Sequence, residues 1–151
     1  MAAPVSSKAI PTDAAATAAR LRVSATRLAR QLRQESDAGL SPSQLSALTS
    51  VELHGPLTLG RLAEHERVAP PSVTKVVTKL EEAGLVERRL DAADRRVAWI
   101  SISAAGAARL AKIRQRKNVW LATRLAKLDD DARRRIADAL DALDAITADP
   151  V

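Results

Sequence analysis

The sequence predicts a mainly α-helical chain with a small antiparallel β wing of two or three strands placed before its last helices. Three observations lead there. Apolar residues recur every three or four positions near both ends, and Ser-Pro, Thr and Pro-Pro signals divide the centre into short helices. A β-branched run, Val97 to Ile102, faces Leu85 to Glu87 across a charged turn.

From Thr12 to Gln34, residues Ala18, Leu21, Ala25, Leu28 and Leu32 form a helical seam, with Arg20, Arg27, Arg30 and Arg33 between them. The seam is narrow and small, better suited to packing on another helix than to capping a large core, and a helix folded on its own domain is the competing reading. Ser41-Pro42-Ser43-Gln44 reads as a capped start: a Ser N-cap, Pro at the first helical position and Gln placed to return a hydrogen bond. That helix carries Leu45, Leu48 and Val51 and ends at His54-Gly55-Pro56, where Gly55 is expected in a left-handed cap. Thr58 caps a short helix bearing Leu59, Leu62 and Ala63.

Pro70 and Pro71 open a further helix that runs to Ala83 and ends on Gly84 as a second left-handed cap. Its apolar face is Val73, Val76, Val77 and Leu80, which leaves Thr74, Lys75, Thr78 and Lys79 opposite. Leu85, Val86 and Glu87 begin a strand, Arg88 to Arg96 form the polar turn, and Val97 to Ile102 return. Ser103 caps a long helix, Ala104 to Leu128, on which Lys112, Arg114, Arg116 and Lys117 are expected to face solvent. Asp129 to Asp131 suit the positive end of a last helix, whose seam is Ile136, Leu140, Leu143 and Thr147.

Composition narrows the function. At 151 residues the chain fits one domain, and its 46% apolar content is almost wholly Ala, Leu, Val and Ile, with Trp99 and Trp120 as the aromatic residues. Lys and Arg number 24 against 18 for Asp and Glu, so a formal charge of +6 favours a polyanionic partner without saying where the charge sits. The absence of cysteine excludes disulfides, thiolate metal sites and thiol-based sensing. Residues 1–11 are expected to be flexible; Met1 to Asp13 lack the apolar core of a secretory signal, and a cytoplasmic, nucleoid-associated protein is expected.

Two short helices, the second with an exposed Thr/Lys face, followed at once by a basic hairpin, supply what is needed to grip duplex DNA. A helix fits the major groove, and a ribbon with Arg at its tip reaches the adjacent minor groove. Four segments in this order resemble the MarR (multiple antibiotic resistance regulator) family of winged helix-turn-helix transcription regulators. They are Gly55-Pro56-Leu57-Thr58-Leu59-Gly60-Arg61-Leu62-Ala63, Pro70-Pro71-Ser72-Val73-Thr74-Lys75, Leu80-Glu81-Glu82-Ala83-Gly84-Leu85-Val86-Glu87-Arg88 and Asp91-Ala92-Ala93-Asp94-Arg95-Arg96.

The resemblance implies a single domain over 12–151, with dimerisation helices at 12–36 and 104–148 and a winged-helix DNA-binding lobe at 41–103. It implies DNA contacts from Ser72, Thr74, Lys75, Thr78 and Lys79, with Lys75 foremost, and from a wing in which Asp94 holds Arg96 for the minor groove while Arg95 meets phosphate. Ordinary surface threonines and a plain surface ion pair are the competing readings of Thr74, Thr78 and Asp94 with Arg96. Ala69 stands where many relatives place a side-chain cap, so fewer phosphate contacts are expected from that helix end.

By the same resemblance, Leu21, Ala25, Leu28 and Leu32 with Ile136, Leu140 and Leu143 form the homodimer contact, and two recognition helices read a palindromic operator on double-stranded DNA. Repression is the implied outcome, relieved in many relatives by a small aromatic or anionic effector. Trp120, Arg27 and His54 are the candidates to meet one, against the plainer readings of a core tryptophan and solvated basic residues. His54, Glu64 and His65 lack the spacing of a metal set, and no nucleophile triad or phosphate loop stands out, so no metal, cofactor or catalytic role is expected. The competing function is a sequence-tolerant architectural DNA-binding protein.

Overall fold

Capping residues set the order of elements. The computed structural model describes residues 12–35 and 39–148, so the segment 1–11 expected to be flexible lies outside the described residues. The first helix, α1 (Thr12–Glu35), forms one unit by itself, and Gly39 to Ala148 belong to a second. Within α1 the seam is incompletely covered: Leu28 is 45% exposed, Ala25 is exposed, and Leu21 and Leu32 are half-buried.

The second unit opens with α2 (Pro42–His54), started by the reciprocal cap that its sequence predicts. The Gln44 amide donates to Ser41 Oγ at 3.2 Å, and the Ser41 amide donates to Gln44 Oε1 at 2.8 Å. The far end differs from expectation. Gly55 is extended, at φ −71° and ψ 163°, not left-handed. Glycine is required there for space, because a Cβ would overlap the Val51 carbonyl oxygen.

Strand β1 (Leu57–Thr58) follows, then α3 (Leu59–Glu66), whose first turn is closed by the Arg61 amide donating to Thr58 Oγ1 at 3.3 Å. Arg67 ends α3 in the left-handed region at φ 53°, with the Val68 amide bonded to the Ala63 carbonyl at 3.1 Å. Left-handed backbone is disfavoured for a residue with a Cβ by about 1–2 kcal/mol, so composition gives no hint of this cap.

Next comes α4 (Pro70–Glu82), which buries Val73, Val77 and Leu80 and half-buries Val76. Its exit has the predicted left-handed glycine. Gly84 sits at φ 69°, its amide donates to the Glu81 carbonyl at 2.9 Å, and the Leu85 amide donates to the Leu80 carbonyl at 2.9 Å.

The wing is β2 (Val86–Leu90) and β3 (Ala98–Ile102), which with β1 makes an antiparallel sheet in the order β1-β3-β2. The register pairs Arg88 with Ile100, Arg89 with Trp99 and Leu90 with Ala98. β2 therefore extends to Leu90 and takes in Arg88 and Arg89, which the sequence reading assigns to the turn. Charge favoured a turn there, but ladder hydrogen bonding to β3 decided the strand.

α5 (Ala104–Leu125) and α6 (Asp130–Thr147) complete the chain, started by Ser103 and Asp129, which accept from the Gly106 amide at 3.0 Å and the Ala132 amide at 2.7 Å. One core joins these parts: Leu48 of α2, Leu62 of α3, Leu80 of α4 and Ile100 of β3 are fully enclosed, and Leu110 of α5 closes over them. Each such side chain contributes about 1.5–3 kcal/mol on burial. By contrast α6 buries none of its residues.

Candidate nucleic-acid interface

A helix that buries one valine/leucine stripe must present the opposite side. Ser72, Thr74, Lys75, Thr78 and Lys79 of α4 are all exposed, spread over about two turns of its outer face. The Thr74 hydroxyl donates to the Pro70 carbonyl at 3.1 Å, and the Thr78 hydroxyl to the Thr74 carbonyl at 2.9 Å. With their hydrogens turned inward, both threonines offer outward lone pairs, suited to accept from the amino group of adenine or cytosine. Lys75 and Lys79 supply donors beside them.

The start of α4 carries no side-chain cap on Ala69, as its sequence predicts. Two prolines there remove two amide donors, and the Ser72 amide donates to the Ala69 carbonyl at 2.9 Å. This helix end has little left to offer an anion.

The sheet shows how the wing leaves the body. Along one face of β2, Val86 is 3% exposed and Leu90 is 60% exposed, with half-buried Arg88 between them. Arg88 Nε lies 3.2 Å from Glu81 Oε2, so the ribbon is tied to the last turn of α4 where it begins to project. At its root, the Ser103 hydroxyl donates to the Gly84 carbonyl at 2.6 Å and the Ser103 amide to the Leu85 carbonyl at 3.1 Å. Helix α4 and the wing therefore share their anchors.

At the tip, Arg96 Nε donates to Asp94 Oδ1 and its terminal Nη2 to Asp94 Oδ2, each at 3.0 Å, and the Arg96 amide also reaches Oδ1 at 3.0 Å. The predicted pair is present, with two parallel contacts, while the Arg96 side chain stays 91% exposed. The Arg96 hydrogen bonds, side chain first and then backbone, hold the Asp94 carboxyl below the usual aspartate value. Arg95 beside them is exposed.

Two members of this tip are absent from the sequence-derived site. Asp91 Oδ1 accepts from the Ala93 and Asp94 amides, both at 2.9 Å, and Oδ2 accepts from the Trp99 indole Nε1 at 2.9 Å. The Trp99 hydrogen bond is the largest cause lowering the Asp91 carboxyl below its ordinary value, and the two amides add to it. An Asp at the head of a turn is a readable signal for the amide contacts. The indole contact spans eight residues and depends on strand register.

The remaining candidates are spread over several elements. Arg27 stands on α1, His54 at the end of α2 and Trp120 on α5. His54 stacks on His65 with ring centroids 4.5 Å apart, and the Arg124 guanidinium carbon lies 3.5 Å above the Trp120 ring. No group of three metal-ligating side chains occurs among the described residues. On α6, Ile136 and Leu140 are 42% and 51% exposed, and Leu143 is half-buried. No helix of the described residues is long and apolar enough to cross a membrane.

The MarR family profile matches residues 40–98, which span α2 through the wing tip. An uncharacterised HTH-type transcriptional regulator of Mycobacterium leprae is 40% identical over 122 residues, covering 80% of this chain and 85% of that protein. The crystal structure of a candidate transcriptional regulator from Pseudomonas aeruginosa superposes with a TM-score of 0.82 at 29% identity, covering 93% of this chain and all of that one. The same fold occurs in a mutant of Staphylococcus aureus MepR bound to an oligodeoxyribonucleotide, with a TM-score of 0.70 at 18% identity over 87% of this chain and 98% of that one. The chain is a winged helix-turn-helix transcriptional regulator and belongs to the MarR family.

Proposed function

We propose that the chain acts as a homodimeric repressor, each protomer placing α4 in the major groove and its wing in the adjacent minor groove of a palindromic operator. Residues 12–36 and 104–148 form the dimerisation part and 41–103 the DNA-binding lobe of a single MarR-type domain. Ser72, Thr74, Lys75, Thr78 and Lys79 contact bases and phosphates. Arg96 enters the minor groove under the hold of Asp94, and Arg95 meets the backbone. The observation that carries this reading is the Glu81 to Arg88 contact, which links an exposed polar helix face to a protruding basic ribbon.

Pairing through Leu21, Ala25, Leu28 and Leu32 with Ile136, Leu140 and Leu143 would cover apolar side chains that one chain leaves exposed or half-buried. Two recognition helices related by a two-fold then read half-sites roughly 34–36 Å apart. A clamp of that span on promoter DNA excludes polymerase from the same stretch, hence repression. Relief by a small aromatic or anionic effector is supported by Trp120, whose buried indole Nε1 has no hydrogen-bond partner among the described residues.

Selection from a random-sequence duplex pool, followed by footprinting and competition, tests the proposal. A two-fold symmetric site retained against excess random duplex at moderate salt is expected. A sequence-tolerant architectural protein would lose the site to the competitor, and a footprint over one half-site at every concentration would remove the dimer.

A further inference from the structure

Trp99 occupies an unusual position for one of the two largest side chains in the molecule. It lies on the outer face of the wing, 40% exposed and opposite Arg89, while its neighbour Ile100 fills the core at 0% exposure. Core packing therefore does not account for a tryptophan there. Its polar end has a partner: the indole Nε1 donates to Asp91 Oδ2 at 2.9 Å.

That bond divides the Asp91 carboxylate between two tasks. With Oδ2 held by the indole, Oδ1 is left to receive the Ala93 and Asp94 amides, both at 2.9 Å. The turn is closed on the other side by the Asp91 amide on the Val97 carbonyl and the Val97 amide on the Asp94 carbonyl, each at 2.9 Å. Asp94 then grips Arg96 through both carboxylate oxygens. Hydrogen bonds thus run in series from indole to Asp91, from Asp91 to the Asp94 backbone, and from the Asp94 side chain to the guanidinium.

We infer that Trp99 is a positioning residue for Arg96: by fixing one oxygen of Asp91 it sets the turn that presents the Asp94 and Arg96 pair to DNA. The inference rests on the minor-groove reading above. An arginine delivered in one conformation loses less side-chain entropy on docking than one that must be ordered by the DNA. Removing the indole N–H frees the carboxylate to rotate, and the turn amides lose a fixed acceptor. Arg96 itself would remain charged and exposed, only less well aimed.

The test is a double-mutant cycle on the full chain, with a fluorescein-labelled duplex that the parent protein selects from a random pool. W99F keeps an aromatic ring and deletes the N–H. It is expected to weaken binding roughly three- to tenfold with Tm within a few degrees of the parent. In the R96A background the same change is expected to have an effect of less than about twofold, because what it positions is gone. Amide exchange at Ala93 and Asp94 should accelerate in W99F, a change that needs no DNA. D91N, whose single carbonyl oxygen cannot serve the indole and the turn amides as two carboxylate oxygens do, should reproduce all three results and serves if W99F unfolds.

Parent-like binding by W99F with R96A impaired overturns this inference and leaves the minor-groove reading standing. An undiminished W99F loss in the R96A background also overturns it, since Trp99 would then touch DNA directly. Parent-like binding by R96A removes the minor-groove reading, and this inference with it.

Discussion

Arg114 of α5 closes a two-pronged ion pair on Glu52 of α2, with Nη1 2.6 Å from Oε2 and Nη2 3.1 Å from Oε1, across 62 residues of chain. Helical periodicity places Arg114 on a solvent face, as expected, yet the side chain reaches an acid on another helix and is only half free of protein. The pair fastens α5 to α2. Hydrogen bonding from Arg114 is the largest influence on Glu52 and lowers its pKa; burial opposes it, and the Arg114 charge adds to the lowering.

A carboxyl with a depressed folded-state pKa stabilises the fold fully above its ordinary value and loses that contribution as pH falls through the lowered one. Arg114→Gln is therefore expected to lower Tm by a few degrees at neutral pH, a small effect because the pair is partly exposed. In thermal melts of both proteins as a function of pH, the gap should be constant above the ordinary glutamate value and close below it. A gap that widens in acid would contradict the assignment.

Lys75 lies on the exposed side of α4 with no capping role, so its removal should affect DNA and little else. If it meets phosphate, Lys75→Ala weakens all duplexes about equally and reduces the slope of log affinity against log salt by roughly one. If it meets a guanine edge, the loss is about 1–3 kcal/mol and confined to one base pair of each half-site. Binding isotherms over a salt series, on the selected duplex and its single-base variants, separate the two.

Leu140, at 51% exposure on a helix with no buried residue, has no core to disrupt. Leu140→Glu should leave the helical circular dichroism unchanged while shifting sedimentation from dimer toward monomer. Operator affinity should fall at least tenfold, since each half-site is then bound alone. An unaltered dimer would place the interface elsewhere.

Two glycines make opposite predictions. At Gly106, in the first turn of α5, a Cβ would overlap the Leu85 carbonyl oxygen and come within 2.9 Å of Ile102 Cγ1. Gly106→Ala is expected to destabilise by about 1–3 kcal/mol. At Gly60, in α3, a Cβ meets nothing within 4 Å among the described residues. Gly60→Ala should stabilise by about 0.4–1 kcal/mol, through the unfolded chain. Urea denaturation of both variants checks the pair, and equal signs would contradict it.

Local chemistry was legible from residue order alone. Ser41, Thr58 and Ser103 announce their helices because a cap is decided within four residues, Asp129 to Asp131 mark the last one because acids suit its positive end, and Gly84 marks an exit because only a few backbone bonds are involved. The stripe Val73, Val77 and Leu80 fixed which face of α4 stays outside, and with it the candidate contacts. Tertiary structure decided the rest. The extended Gly55, the left-handed Arg67, the reach of β2 to Leu90, the Arg114 contact with Glu52 and the Trp99 contact with Asp91 each depend on groups far apart in the chain or on backbone geometry that residue type does not specify. Periodicity assigns a side chain to a face; which partner waits there is settled only when register and packing bring distant atoms within bonding distance.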